Sequence, residues 1–261
     1  MIRSLSIAST GLGAQQLAVE IISNNLANVS TIGFKKSTAE FQDLLYQTLK
    51  TAGTSTGTGT LPVGMQVGSG VKPVAVHREF KQGDFQQTQN PFDLAIEGEG
   101  FFQVTLPDGS TAFTRAGAFR LDSEGKIVTA NGLPMIPNIS VPTGTRTTTI
   151  SLDGTVSVVT GASNAPTVIG SIEVVRFVNP AGLDSLGKNL FKTTAGSGEP
   201  VTGKPGLEGF GTLLQGSIEG SNVDIAAEMV NMIVAQRAYE LNSKAIQTSD
   251  EMLSTANNLK R

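Results

Sequence analysis

The chain has 261 residues, 39% hydrophobic and only 16% charged, enough to bury one or two cores. Its 19 Lys and Arg against 22 Asp and Glu give a net charge of −3, so no basic excess exists to displace counterions from a nucleic acid. With one His and no Cys, a thiolate nucleophile, a disulfide framework and a Cys/His zinc site are excluded.

At the N-terminal end, Met1, Leu5, Ala8, Leu12, Gln15, Val19, Ile22, Leu26 and Val29 recur in alternating steps of four and three. That is the heptad seam of a helix packed on another helix. Gly11 and Gly13 each weaken such a helix by roughly 1 kcal/mol relative to Ala, so it needs a partner. The opening residues carry neither a long apolar block nor a small-residue cleavage site, so no secretory signal is expected. No apolar run reaches the ~18 residues of a membrane span.

Residues 51–70 are rich in Thr and Gly. The tract 51–60 reads either as a flexible linker or as an element that orders against a neighbouring subunit. Residues 71–220 read as β structure. Strand candidates at 101–107 and 111–115 flank Asp108-Gly109. Those at 119–122 and 126–130 flank Gly125, and those at 147–153 and 155–159 flank Asp153-Gly154. Such turns predict antiparallel hairpins. Residues 168–178 are another strand candidate, and no βαβ alternation appears.

Three features of this region have the residue types of a chemical site. His77 stands alone, without the partners of a metal site or a catalytic triad. Residues 198–205 match a phosphate-loop pattern, but Pro205 occupies the Ser/Thr position, which makes the segment a loop. Glu97 and Glu99 share one strand face, yet Phe101 and Phe102 follow and nothing converges on them. No catalytic, cofactor or metal site is therefore expected.

The C-terminal end returns to a helical period over about 38 residues, ~57 Å. Val223, Ala227, Val230, Val234, Ala238, Leu241, Ala245, Thr248, Met252, Thr255 and Leu259 form its apolar row. Asn222 or Ser221 is the expected cap, with Asp224 and Glu228 at the positive end. The two terminal helices are expected to pair through their seams. The expected fold is therefore α+β, with paired N- and C-terminal coiled-coil helices and a central antiparallel β-rich domain. The expected divisions are a helical domain at 1–32 and 221–261, connecting regions at 33–73 and 204–220, and a β-rich domain at 74–203.

Residues 24–36 read NNLANVSTIGFKK. This resembles the signature of the bacterial flagellar rod and hook axial proteins, with Asn24, Asn25, Ala27, Asn28, Thr31, Gly33, Phe34 and Lys35 matching. The asparagine amides are expected to serve the frayed carbonyls at the helix end, and Gly33 to permit the turn. Residues 93–135 and 221–253 are similar to the same family, and its distal-rod members are similar in their opening residues, length and segment 44–73. Proximal-rod or hook-type members are the alternative.

The resemblance implies a non-enzymatic subunit that self-assembles head to tail into a hollow, torque-transmitting shaft, located in the basal body. It implies helix-seam contacts by Leu5, Leu12, Val19, Ile22, Leu26, Val230, Val234, Leu241, Met252 and Leu259. It also implies export through the flagellar type III gate without a cleaved signal. Phe41 and Leu45 match the gate motif, though they could equally form an ordinary pair one helical turn apart. The implied partners are other copies of the chain, proximal rod proteins, hook-type subunits, P and L ring proteins and a rod cap, with no nucleic acid and no small-molecule substrate. A β domain on a helical stalk also suits an envelope adhesin or wall hydrolase. However, the chain has no Trp for a sugar platform, and Tyr46 and Tyr239 lie outside the β region.

Overall fold

In the computed structural model of the chain, residues 2–53, 62–161 and 165–258 are described. The chain divides into two units, one formed by residues 1–26, 37–77 and 224–261 and the other by residues 27–36 and 78–223.

The first unit holds two long helices, α1 (Ile2–Ala27) and α2 (Ile225–Asn258). Asp224 caps α2, its Oδ1 accepting from the Ala226 and Ala227 N–H groups at 2.9 and 3.2 Å. The expected cap, Asn222 or Ser221, is thus corrected by two or three residues. Only the side chain immediately before the first helical residue reaches those amides.

The helices touch at three levels. Ser4 Oγ lies 3.4 Å from Ser249 Oγ. A Cβ placed on Gly11 would stand 3.1 Å from Asn242 Nδ2. Asn25 Nδ2 donates to Glu228 Oε2 at 3.4 Å. Each step of seven along α1 is met by a step of seven back along α2, so the helices run antiparallel in one register. That register places Ala18 opposite the buried Ala235. The facing stripe is thus Ser4, Gly11, Ala18 and Asn25 against Ser249, Asn242, Ala235 and Glu228. Small side chains allow the close approach.

The same unit carries an arm of four strands: β1 (Ser37–Asp43), β2 (Gln47–Lys50), β3 (Met65–Val67) and β4 (Val71–Arg78). β1 pairs with β4, and β2 with β3. Gly70 has φ +116°, and a Cβ there would collide with Thr10 of α1. The tract 51–60 falls largely outside the described residues.

The second unit is a set of small sheets. Phe102–Thr105 and Thr111–Thr114 form a hairpin at the centre of a five-stranded sheet. Thr145–Ile150, Thr155–Thr160 and Thr167–Ser171 form an antiparallel sheet of three strands. Its first turn is tied by Asp153, whose carboxyl is held below the usual range by bonds from the Thr155 N–H and hydroxyl. The stretch 168–178 is not one strand. Thr167–Ser171 and Val174–Arg176 belong to different sheets, and the fully buried Ile172 turns the chain between them. The stretch 198–205, expected to be a loop, contains a short strand, Val201–Gly203, paired with Val174–Arg176.

Two cores result. One joins Leu94, Ile96, Phe102, Phe119, Met135 and Leu213. The other is aromatic: Phe80, Phe101, Phe113, Phe177 and Phe191 meet edge-on at centroid distances of 4.9 to 6.0 Å. The unit is closed by its last strands. Thr212–Gln215 pairs with Leu94–Glu97, and Ser217–Glu219 with Phe85–Gln87.

Candidate functional site

The motif Asn24–Lys35 runs from the end of α1 into the second unit. Asn25 does not serve the carbonyls of its own helix. Its amide pairs both ways with the Ser37 backbone, donating to the carbonyl and accepting from the N–H, each at 2.9 Å. Asn24 and Ala27 are exposed, and Asn28 is half-buried. Asn28 organises the turn that follows: its carbonyl accepts from the Thr31 N–H and its Oδ1 from the Thr31 hydroxyl, both at 3.1 Å.

Gly33 takes φ +69°, and a Cβ on it would lie 2.7 Å from the Ala116 nitrogen. Its N–H donates to the Glu219 carbonyl at 2.8 Å. Phe34 is buried, with the Arg78 guanidinium over its ring at 5.9 Å.

Lys35, 1% exposed, is the deepest residue of the motif. Its Nζ donates to Glu219 Oε1 and to the Lys81 carbonyl, both at 2.7 Å. Glu219 is fully buried and takes a second cation, Arg115 Nε at 2.5 Å, on its other oxygen. Arg115 gives three further N–H bonds to the carbonyls of Ile96, Gly98 and Gly100. Burial alone would raise the Glu219 pKa. The charges of Arg115 and Lys35, with bonds from Lys35 and the Gly83 N–H, outweigh it and hold the carboxyl below the usual range. Burial pulls the Lys35 pKa down, against the attraction of Glu219. Asn222 completes the junction, accepting from the Lys36 N–H and donating to the Glu79 and Lys81 carbonyls.

The helix-seam residues fare differently on the two helices. On α1, Leu5, Leu12, Val19, Ile22 and Leu26 are half-buried. On α2, Val230, Val234, Leu241 and Met252 do not face α1 and stand 60%, 62%, 67% and 53% exposed. The expected intrachain pairing through this row is corrected. α2 turns its small and polar stripe to α1, because those side chains let the axes approach, and its large side chains remain outside. Ile225, Met229 and Ile233 widen the exposed row. Leu259 lies outside the described residues.

Phe41 and Leu45 are not on a helix. Phe41 is in β1, and Leu45, 92% exposed, follows it. His77 Nδ1 lies 3.3 Å from Glu40 Oε1. Glu97 accepts weakly from Thr212, and Glu99 lies 3.9 Å from Arg176, so the two carboxylates engage different partners. Among the described residues no three His, Cys, Asp or Glu side chains stand together as metal ligands.

Sequence reasoning missed Glu219 and Arg115, and read Glu228 only as a charge at the positive end of the C-terminal helix. Arg115 and Glu219 lie 104 residues apart, and no local pattern announces such a pair.

Three family models match: the flagella basal body rod protein over residues 5–35, the flagellar hook protein FlgE/F/G D1 domain over 95–158, and the flagellar basal body rod FlgEFG protein C-terminal over 214–259. The chain is 55% identical to the flagellar basal-body rod protein FlgG of Borreliella burgdorferi, over 100% of both chains. It is 52% identical to that of Buchnera aphidicola subsp. Acyrthosiphon pisum, over 97% of this chain and 98% of the relative. It is 40% identical to that of Bacillus subtilis, over 100% of both.

Proposed function

This chain belongs to the flagellar basal-body rod proteins, as a structural subunit of the rod, and on that premise we propose how its copies join. They stack head to tail with a rotation that does not close, building the stiff hollow distal part of the shaft. The observation that carries this reading is the apolar row on α2. A helix that leaves Val230, Val234, Leu241 and Met252 exposed presents a contiguous apolar row of the kind that another surface covers. The half-buried α1 row of Leu5, Leu12, Val19, Ile22 and Leu26 on a neighbouring copy has the matching period. The helices then line the shaft as a coiled-coil layer, and the arm lies between subunits.

Proximal rod proteins, hook-type subunits, ring proteins and a rod cap are the further partners. Phe41 and Leu45 serve the export gate before the chain folds.

The test is Leu241→Asp in cells. Because Leu241 is exposed in the single chain, the variant is expected to fold with its stability unchanged within about 0.5 kcal/mol. In a rod the new charge would be buried, so incorporation and swimming are expected to be lost. Normal swimming would reject the placement of this row.

A further inference from the structure

The second unit contains a cavity of about 250 Å³. Phe80, Phe101 and Phe177 give it aromatic walls. Lys35 and Arg115, 1% and 5% exposed, line it as well. Its solvent-exposed members are Glu99 and Arg176, whose side chains lie 3.9 Å apart.

The charges behind these walls do not balance. Lys35 and Arg115 are two cations, and the buried Glu219 is their one carboxylate. The Glu99–Arg176 pair cancels itself, so it does not make up the difference. The downward pull of burial on the Lys35 pKa agrees with a cluster short of negative charge. The donors do not balance either. Lys35 gives two of its three hydrogens, to Glu219 and the Lys81 carbonyl. Arg115 gives four of its five, to Glu219 and three carbonyls. Among the described residues the last hydrogen of each has no acceptor. A buried excess charge is costly, and an anion brought into the cavity offsets it. The phenylalanine walls suit an apolar body behind that anion rather than a hydrated inorganic ion.

We propose that this cavity is a binding site for a carboxylate carried on an apolar body, and that in the rod an acidic side chain of a neighbouring copy fills it. The second statement rests on the assembly proposed above, whereas the first does not. Charge complementarity favours another copy as the source, because the chain is acidic overall, with a net charge of −3. Exposed carboxylates also stand beside exposed apolar side chains, at Asp184 with Leu186 and at Glu199 with Val201.

The purified full chain is titrated with phenylacetate and with its neutral isostere phenylacetamide, both read by chemical-shift changes. Phenylacetate is expected to bind at least about tenfold tighter, since only the acid forms charge-assisted bonds. In Lys35→Met the buried cluster is neutral. The two affinities are then expected to come within about twofold of each other, while amide protection of the second unit is retained. Two variants at exposed positions decide the matter if Lys35→Met does not fold. Glu99→Gln is expected to tighten phenylacetate by about twofold or more, and Arg176→Glu to weaken it by at least as much. Phenylacetamide is expected to move with neither. In cells, Arg176→Glu is expected to lower rod incorporation and swimming.

The proposal is overturned if neither compound binds, if the acid binds no tighter than the amide, or if its advantage survives both Lys35→Met and Arg176→Glu. Weakened phenylacetate binding in Arg176→Glu together with normal swimming would keep the site and reject the neighbouring copy as its occupant. Failure of the assembly reading itself is read separately, from Leu241→Asp.

Discussion

Replacing Glu219 by Gln tests the junction where the sequence motif ends. Glu219 Oε1 receives Lys35 Nζ at 2.7 Å and the Gly83 N–H at 2.9 Å, and Oε2 receives Arg115 Nε at 2.5 Å. Gln keeps one accepting oxygen and turns an NH2 group toward a cation. Lys35 and Arg115 then remain buried without their counter-charge. Breaking a buried ion pair from one side costs about 3–5 kcal/mol.

Lys35→Met is the informative companion. It removes one cation, fills similar volume with an apolar chain, and leaves Glu219 paired with Arg115. Its cost is expected to be smaller than that of Glu219→Gln, because Glu219 keeps Arg115 as its counter-charge. Amide hydrogen exchange of the full chain at increasing urea, read at residues of the second unit, measures both. The pH dependence adds a sign. The folded carboxyl titrates below the usual range, so its contribution is present above the ordinary pKa of about 4.3 and is lost as pH falls through the depressed one. That part of the acid sensitivity is expected to vanish in the Gln variant. A loss under about 1 kcal/mol for Glu219→Gln, or a larger loss for Lys35→Met, would refute the reasoning.

Gly33→Ala is expected to destabilise the second unit by at least about 1–3 kcal/mol, since a positive φ and a collision with the Ala116 nitrogen act together; thermal melting checks it. Leu45→Ala, at an exposed position, is expected to leave folding within about 0.5 kcal/mol of the parent while lowering secretion, and unchanged secretion would remove Leu45 from the export motif. Deleting residues 51–66 is expected to leave secretion intact and to yield bent or softened rods, visible by electron microscopy. Gly70→Val is expected to displace the arm from Thr10, read as faster proteolysis of residues 37–77.

Much of the fold was legible because its signals are local. Asp108-Gly109 and Asp153-Gly154 marked hairpins, and the steps of three and four marked both helices. What failed was partner choice. The row through Val230, Val234 and Leu241 and the stripe through Glu228, Ala235 and Asn242 repeat with the same period on one helix. Size draws the eye to the first, but close approach selects the second for α1. The arm was missed because Ser37–Lys50 shows no clean alternation: its strands are mostly exposed and cover no core. In the motif, the turn at Gly33 was legible from its residue type. The depth of Lys35 was not, because a lysine is read as a surface residue unless its partner is known, and Glu219 lies 184 residues on.

The central claim is that copies of this chain build the distal rod. Its most direct test is electron cryomicroscopy of basal bodies from cells lacking the gene. Structures that stop after a short proximal rod and carry no hook are the predicted result. Basal bodies with a complete rod and hook would contradict it.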